Sequence, residues 1–220
     1  MNIEKLTFQI SVIIQFLGIL LVPFGLLIPI KKDKINLYKC LQLETIVNII
    51  EFISYIIIFY FISKVPDIAF MRYYDWFITT PLLLLSVIIY FYYLQNKEIK
   101  TINDKLYLLG SNKYRNKYIK IIIYNLLMLL CGFLGELNII PKKYSVIIGF
   151  IFFVLLFHEL YTFARNNKES ERFFIYFMLL WSLYGISYNF SPQWKNTGYN
   201  ILDLFSKTFY GLFILYKYLY

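Results

Sequence analysis

The stretch MRYYDWFITTPLLLLSVIIY, residues 71–90, decides the fold. Its second half is an apolar run, and Arg72 and Asp75 stand at the head of that run. A helix needs about 20 mostly apolar residues to cross the ~30 Å hydrocarbon layer of a bilayer. The stretch therefore predicts a membrane-spanning helix. Its two charged side chains need a specific role, because a charge inside a bilayer is costly.

The rest of the chain repeats this pattern. Of its 220 residues, 60% are hydrophobic and 16% are charged, whereas a typical soluble domain has about a quarter charged residues. The pattern predicts an all-α fold, a seven-transmembrane-helix bundle that forms a single domain over residues 1–220 of an integral multi-pass protein in a cell or host-cell membrane. The predicted helices lie at roughly 7–29, 36–62, 68–95, 117–138, 143–165, 170–190 and 196–218. The third and fourth are joined by a polar, basic connection at about 96–116.

The positive charge is unevenly distributed between the connections. The net charge is +9, and the Lys and Arg residues lie mostly in alternate connections, around 31–34, 97–120 and 165–172. Connections rich in Lys and Arg face the cytoplasm, so we expect an extracellular N-terminus and a cytoplasmic C-terminus. The expected partner is membrane lipid and not nucleic acid, and a homo-oligomer is possible in this topology.

A lysine interrupts the last predicted helix near its middle. Lys207 follows Asp203 by four residues, so both side chains share one face. The pair is either a structural ion pair or a lysine that forms a Schiff base with an aldehyde cofactor and needs carboxylate counterions. On the third helix, Arg72, Asp75 and Thr79 also share a face. We expect Asp75 and Asp203 to neutralise a cation at Lys207, and Arg72 to stabilise both carboxylates.

Several motifs resemble those of the microbial (type 1) rhodopsins. They are RYYDWFITTPLLLL at 72–85, LDLFSK at 202–207 and LLWSLYG at 179–185, where Gly185 replaces the usual Pro. The resemblance implies all-trans retinal as the cofactor, bound as a Schiff base to Lys207. It also implies a retinal pocket formed by Trp76, Thr80, Leu83, Met128, Gly132, Trp181 and Tyr184. Any one of these aromatic residues could instead be a packing residue, since aromatic residues make up 21% of the chain.

The second helix carries a polar stripe. Glu44, Asn48, Glu51 and Tyr55 are spaced by four, three and four residues, which places them on one helical face. Such a face is expected to meet water or polar partners instead of lipid. It predicts either a hydrated ion pathway or a dry network that locks the helices together. The residues assigned to the pathway are Ser11, Glu44, Asn48, Glu51, Asn196 and Asn200.

The same polar residues resemble a group of giant-virus rhodopsins described as light-gated cation channels. The preferred function is therefore a light-gated channel for monovalent cations, since carboxylate-lined routes favour cations. The alternative is a light-driven outward proton pump. Pumps of this family usually have a carboxylate eleven residues after the counterion Asp75, where this chain has Ser86. A sensor that signals through a partner protein is the third possibility.

An enzyme is the remaining class of function. The sequence has no nucleophile–base pair and no cluster of metal ligands at usable spacing. We therefore expect no enzymatic activity, no catalytic residues and no metal site. The expected transported species are cations or protons.

Overall fold

The computed structural model describes residues 3–30, 32–62, 64–65, 67–95, 112–165 and 167–220. These residues form seven helices and no strand, which confirms the predicted fold class. The helices are α1 (Ile3–Leu21, continued by the 3-10 segment Val22–Leu27), α2 (Ile35–Phe61), α3 (Ala69–Leu94), α4 (Asn112–Glu136), α5 (Lys142–Ala164), α6 (Lys168–Ser187) and α7 (Pro192–Asp203, a π-helical segment Leu204–Thr208, and Phe209–Leu219). Helices α1 and α4 begin earlier than predicted. Most of the predicted polar connection, residues 96–111, lies outside the described residues.

Five of the described helices are long and apolar enough to cross a membrane. They are the segments Ile3–Leu27, Ile35–Phe61, Ala69–Leu94, Arg115–Glu136 and Lys142–Ala164. Large apolar side chains such as Ile13, Val154 and Leu179 are more than half exposed on the outside of the bundle. An apolar exterior of this kind marks a surface that meets lipid. In α7, the charged side chains of Lys195, Asp203 and Lys207 are buried in the interior of the bundle.

Local signals in the sequence account for several helix ends. The Asn167 side chain accepts hydrogen bonds from the backbone N–H of Glu169 at 2.8 Å and of Ser170 at 3.1 Å, so it caps the start of α6. Pro192 starts α7, where its fixed φ suits the first turn. Asn138 has a φ of 56° in the turn between α4 and α5, a conformation that asparagine tolerates better than most residues.

The interior of the bundle has a polar half and an aromatic half. Buried polar side chains of α1, α2, α3 and α7 lie together in one half. In the other half, Phe157, Phe177 and Trp181 pack against one another between α5 and α6. The π-helical segment of α7 carries Lys207 at the boundary between the two halves. Such single-turn π segments occur frequently at functional sites.

Candidate functional site

The centre of the bundle holds one ammonium among three carboxylates. Lys207 Nζ lies 3.0 Å from Asp75 Oδ2, 3.4 Å from Asp203 Oδ1 and 3.8 Å from Glu51 Oε1. All four side chains are buried. The structure thus brings Lys207 together with both predicted counterions. It adds Glu51, which the sequence had assigned only to the ion pathway.

Arg72 lies on the side of this cluster towards the start of α3. Its Nη1 is 3.0 Å from Asp203 Oδ2 and donates to the Tyr55 hydroxyl at 2.8 Å, while its Nη2 donates to the side-chain oxygen of Asn200. Among the described contacts, its ion pair is with Asp203 and not with Asp75. The expected stabilisation of Asp75 by Arg72 stays a prediction, whereas the contact with Asp203 is supported by Tyr55 and Asn200, which accept hydrogen bonds from the guanidinium.

The two counterions have different hydrogen-bond partners. Asp75 Oδ1 accepts a hydrogen bond from the Thr79 hydroxyl at 2.8 Å, one turn along the same helix. Asp203 Oδ1 accepts from Trp76 Nε1 at 3.2 Å and from the Tyr184 hydroxyl at 2.9 Å. Asp203 is therefore held by donors from α2, α3 and α6, whereas Asp75 is held mainly by its own helix and by Lys207.

A cavity opens beside Lys207 between α3, α4, α5, α6 and α7. All eight residues that the resemblance assigns to the retinal pocket line it: Trp76, Thr80, Leu83, Met128, Gly132, Trp181, Tyr184 and Lys207. Further lining residues, which the sequence did not single out, include Tyr73, Val146, Gly149, Phe150, Phe153 and Tyr199. Four of these come from α5. These four positions carry only glycine, valine or phenylalanine, which any lipid-facing helix could carry, so nothing in their sequence signals the cavity.

A buried asparagine supports the wall of the cavity. Asn125 on α4 donates from Nδ2 to the Thr80 hydroxyl oxygen at 2.7 Å, and Thr80 donates to the Trp76 carbonyl oxygen at 2.7 Å. Asn125 is fully buried, and the sequence analysis missed it. The available signal was an amide side chain within an otherwise apolar run, which a membrane helix places against a polar partner.

The polar stripe of α2 faces the interior. Glu44, Asn48, Glu51 and Tyr55 are all buried. Gln15 on α1 donates to Glu51 Oε1 at 3.1 Å, so Gln15 is a further member of this set that the sequence analysis missed. The sequence feature that could have identified Gln15 is its position one turn after Ser11 on α1.

Several oxygen atoms of the stripe have no hydrogen-bond partner among the described residues. They are both carboxylate oxygens of Glu44, Oδ1 of Asn48 and Oε2 of Glu51. Two glycines leave room around Asn48. A Cβ atom at Gly18 would lie 3.0 Å from Asn48 Oδ1, and one at Gly211 would lie 2.9 Å from Asn48 Nδ2. Glu44, Asn48 and Glu51 thus form a column of buried acceptors, only some of which have a partner, where α1, α2 and α7 meet.

The other predicted pathway residues lie nearer the start of α7. The Ser11 hydroxyl donates to the Asn200 backbone oxygen at 3.1 Å, and the Asn200 side chain accepts from Arg72. Asn196 donates to Asp67 Oδ1 at 3.2 Å. The six assigned residues therefore occupy successive depths of the bundle along α1, α2 and α7. The ammonium of Lys207, with its three carboxylates, lies between them.

The comparison with protein families identifies the family of the chain. The family model described as bacteriorhodopsin-like protein matches residues 2–219. The chain belongs to the bacteriorhodopsin-like family. Members of this family are integral membrane proteins that bind retinal through a Schiff base to a lysine, so this protein is an integral membrane protein and its cofactor is retinal. The comparison with curated proteins gives no match.

Solved structures of rhodopsins have the same fold. The viral rhodopsin OLPVRII superposes with a TM-score of 0.84 at 28% identity, over 98% of this chain and 97% of that one. The blue light-absorbing proteorhodopsin from Med12 gives 0.73 at 18% identity, over 98% and 96%. The light-driven proton pump CsR of Coccomyxa subellipsoidea gives 0.70 at 18% identity, also over 98% and 96%. The last two comparisons, at 18% identity, show only that the fold is the same.

The lining of the cavity in this bacteriorhodopsin-like protein suits an apolar group such as retinal. Its walls are mainly apolar and aromatic, and Lys207 supplies one amine. Gly132 and Gly185 keep the walls apart, since a Cβ atom at Gly132 would collide with the Tyr73 hydroxyl and one at Gly185 would lie 2.7 Å from the Phe150 ring.

Proposed function

We propose that this protein is a light-gated channel that conducts monovalent cations between α1, α2, α3 and α7. The observation that carries the proposal is the column of buried acceptors at Glu44, Asn48 and Glu51, whose oxygens include several without a partner among the described residues. A buried acceptor without a partner costs about 1–3 kcal/mol, and a cation or water in the column would remove that cost. Carboxylates along a route favour cations.

We assign retinal attachment to Lys207, and the orienting walls to the lining residues Trp76, Thr80, Leu83, Met128, Gly132, Trp181 and Tyr184. When bound, retinal supplies the absorption of light and the change of shape that follows it. The chain contributes a proton on Lys207 Nζ and an acceptor, Asp75 Oδ2, at 3.0 Å. This distance is within the hydrogen-bond reach that proton transfer requires. Thr79 keeps the Asp75 carboxylate oriented.

The opening step that we propose follows from the charges around Lys207. Its ammonium attracts Glu51 of α2 across 3.8 Å and Asp203 of its own helix across 3.4 Å. After the proton has moved to Asp75, Glu51 has lost its cation while Asp203 keeps its ion pair with Arg72, so the attraction between α2 and α7 through Lys207 is gone. We expect α2 and α7 to separate at this point, which would join the column at Glu44 to the polar residues at Asn200.

Voltage clamp of cells that express the protein tests this proposal. We expect a photocurrent that reverses its sign with the membrane potential and shifts its reversal potential with the gradient of Na⁺ or K⁺. A current that stays outward at every accessible potential and ignores these gradients would contradict the channel.

Substitutions in the column test the route itself. Glu44→Gln and Glu51→Gln remove a charge with little change of shape, so we expect a smaller photocurrent and a changed preference among cations. Glu169→Gln is the matched control, because it makes the same chemical change at an exposed position near the start of α6. The proposed route is wrong if both column variants keep the current and selectivity of the control.

The second candidate is a light-driven outward proton pump. The observation that favours it is the direct contact of Lys207 with Asp75, which suits proton transfer towards the extracellular side. Ser86 argues against an efficient pump, because its hydroxyl lies 3.3 Å from the Tyr210 hydroxyl in the place of a carboxylate donor. Acidification of the medium by illuminated cells, at zero cation gradient, would favour this candidate.

The cofactor assignment and the orientation have separate tests. We expect the purified protein to become coloured on addition of retinal, and Lys207→Ala to stay colourless although it folds. We propose a single domain with its N-terminus outside the cell, in contact with membrane lipid. An epitope at the N-terminus should then be accessible to antibody on intact cells, and one at the C-terminus only after permeabilisation.

A further inference from the structure

A second buried ammonium lies at the start of α7. Lys195 Nζ is 2.7 Å from Asp67 Oδ2 and 2.6 Å from Glu136 Oε2, and only 4% of the Lys195 side chain is exposed. The carboxylates come from the segment before α3 and from the end of α4. One lysine thus joins three parts of the chain. We call Lys195, Asp67 and Glu136 the outer cluster, because the distribution of positive charge places this end of the bundle outside the cell.

One carboxylate of the outer cluster, that of Asp67, is held in place independently of the lysine. Asp67 Oδ1 accepts hydrogen bonds from the backbone N–H of Ala69 at 2.9 Å and from Asn196 Nδ2 at 3.2 Å. Glu136 is 8% exposed, and its Oε1 is buried without a hydrogen-bond partner among the described residues. Two carboxylates therefore converge on a single cation and retain one unused acceptor oxygen.

The outer cluster is continuous with the proposed route. Asn196 follows Lys195 directly, and Asn200, Asp203 and Lys207 continue along α7 at intervals of four, three and four residues, on one face of the helix. Asn200 contacts Arg72, and Asp203 contacts Lys207. A cation that enters from the outer end would meet the outer cluster first.

We propose that Asp67 and Glu136 form the outer cation site of the channel, and that Lys195 is a tethered cation that fills this site while the channel is closed. The inference rests on the proposed channel function. The ammonium pairs with one oxygen of each carboxylate and occupies the position between them. A movement of α7 that withdraws Lys195 exposes two carboxylates, oxygen ligands of the kind that bind Na⁺ and Ca²⁺. The same movement thus removes a positive barrier and creates a binding site.

The first test measures cation binding without any ion current. Lys195→Gln leaves both carboxylates in place and takes away the tethered charge. For the purified, retinal-loaded variant we expect Na⁺ or Ca²⁺, compared with N-methylglucamine at equal ionic strength, to raise Tm by about 5 °C or more, since a ligand that binds only the folded state stabilises it. The wild-type protein and Lys195→Arg should show no such shift.

Lys142→Gln is the matched control at the same end of the bundle. Lys142 lies over the Tyr188 ring at 5.1 Å, and its ammonium forms no ion pair among the described residues. Its substitution should produce no cation-dependent Tm. The double variant Lys195→Gln/Glu136→Gln should lose the cation effect that Lys195→Gln gains. Equal cation responses in Lys195→Gln and Lys142→Gln would overturn the proposed site.

The second test uses current and does not depend on the folding of Lys195→Gln. Glu136→Gln keeps Lys195 paired with Asp67, so the closed state persists while the open site has only one carboxylate. We expect the external Na⁺ concentration for half-maximal photocurrent to rise severalfold with little change in the maximal current. If the external Na⁺ concentration for half-maximal photocurrent were unchanged, the role of the outer cluster in conduction would be overturned. If the wild-type protein carries no reversible photocurrent, the channel fails, whereas a cation-dependent Tm of Lys195→Gln would still support the cation site.

Discussion

Arg72 Nη1 and Asp203 Oδ2 form an ion pair at 3.0 Å, although both side chains are almost completely buried. The Tyr55 hydroxyl closes a triangle with them, since it accepts from Arg72 at 2.8 Å and donates to Asp203 at 2.9 Å. This triangle ties α2, α3 and α7 together beside the Lys207 cluster. A buried ion pair costs desolvation of both charges, so it depends on such additional hydrogen bonds.

Removal of one partner of this pair should destabilise the protein strongly. Arg72→Met leaves the Asp203 carboxylate with less compensation, and breaking a buried pair costs about 3–5 kcal/mol. Lys120→Met is the control, because Lys120 pairs with Glu159 at 3.5 Å with a half-exposed side chain, and such a pair contributes about 0–1 kcal/mol. Unfolding of the purified proteins in detergent measures both free energies.

The double variant Arg72→Met/Asp203→Asn identifies the source of that loss. It should recover part of the stability that Arg72→Met loses, because no unpaired carboxylate remains at position 203. A loss for Arg72→Met no larger than that for Lys120→Met would show that the triangle contributes little to stability.

The sequence was sufficient for the fold because the bilayer fixes the length of each apolar run. The runs in α1 to α5 could be located from hydropathy alone. Helix ends were harder to locate, since α4 begins at Asn112 within a polar segment where no change in hydropathy marks it. Lys195, which lies just outside the predicted helix 196–218, is buried in α7. Its burial depends on two carboxylates from distant parts of the chain, which no local pattern indicates.

The site was predictable within each helix and much less so between helices. Helical spacing alone pairs Asp203 with Lys207 and Asp75 with Thr79. The contact of Glu51 with Lys207, in contrast, depends on how α2 packs against α7. Helix rotation and crossing are set by side-chain packing between neighbours. The sequence therefore gave Glu51 a polar neighbourhood but not its place beside the lysine.

A methyl group at Gly132 should impair retinal binding. The Cβ atom of Gly132→Ala would collide with the Tyr73 hydroxyl and approach Cε1 of the same ring at 3.0 Å, and overpacking of this kind costs about 1–3 kcal/mol. We expect slower and weaker uptake of retinal, followed by absorbance. Gly149→Ala is the control in the same cavity, since its Cβ would find only ordinary contacts at 3.8 Å.

A compensating substitution distinguishes this clash from a general loss of folding. Gly132→Ala/Tyr73→Phe removes the hydroxyl that the new methyl group meets, so retinal uptake should recover towards that of Tyr73→Phe alone. Uptake by Gly132→Ala equal to that by Gly149→Ala would mean that the cavity wall adapts at no cost.

Removal of only one side chain of the Asn125–Thr80 hydrogen bond should destabilise the protein more than removal of both. Thr80→Val leaves the buried Asn125 amide without its 2.7 Å acceptor, and an unsatisfied buried polar group costs about 1–3 kcal/mol. The double variant Thr80→Val/Asn125→Leu should be more stable than Thr80→Val. A double-mutant cycle of unfolding free energies measures this coupling, and strictly additive effects would contradict it.

Asp67 should make part of the protein's stability dependent on pH. Burial tends to raise the pKa of Asp67, but the hydrogen bonds and charge of Lys195, with the N–H groups of Ala69 and Asn196, lower it below its ordinary 3.8. Because the folded pKa lies below the unfolded one, this stabilisation is fully present above the unfolded pKa of about 3.9 and is lost as pH falls through the folded pKa.

Tm measured between about pH 7 and pH 3 for wild-type protein and Asp67→Asn checks this expectation across the unfolded pKa. The wild-type protein should be the more stable of the two at neutral pH, and its advantage should shrink towards the acid end. Glu4 and Glu136 also lie near Asp67 and interact with its charge, so the difference between the two Tm values reports Asp67 together with its effect on these two groups. A difference that stays constant over the whole range would contradict a lowered pKa at this carboxyl group, and with it the ionic contact of Asp67 with Lys195.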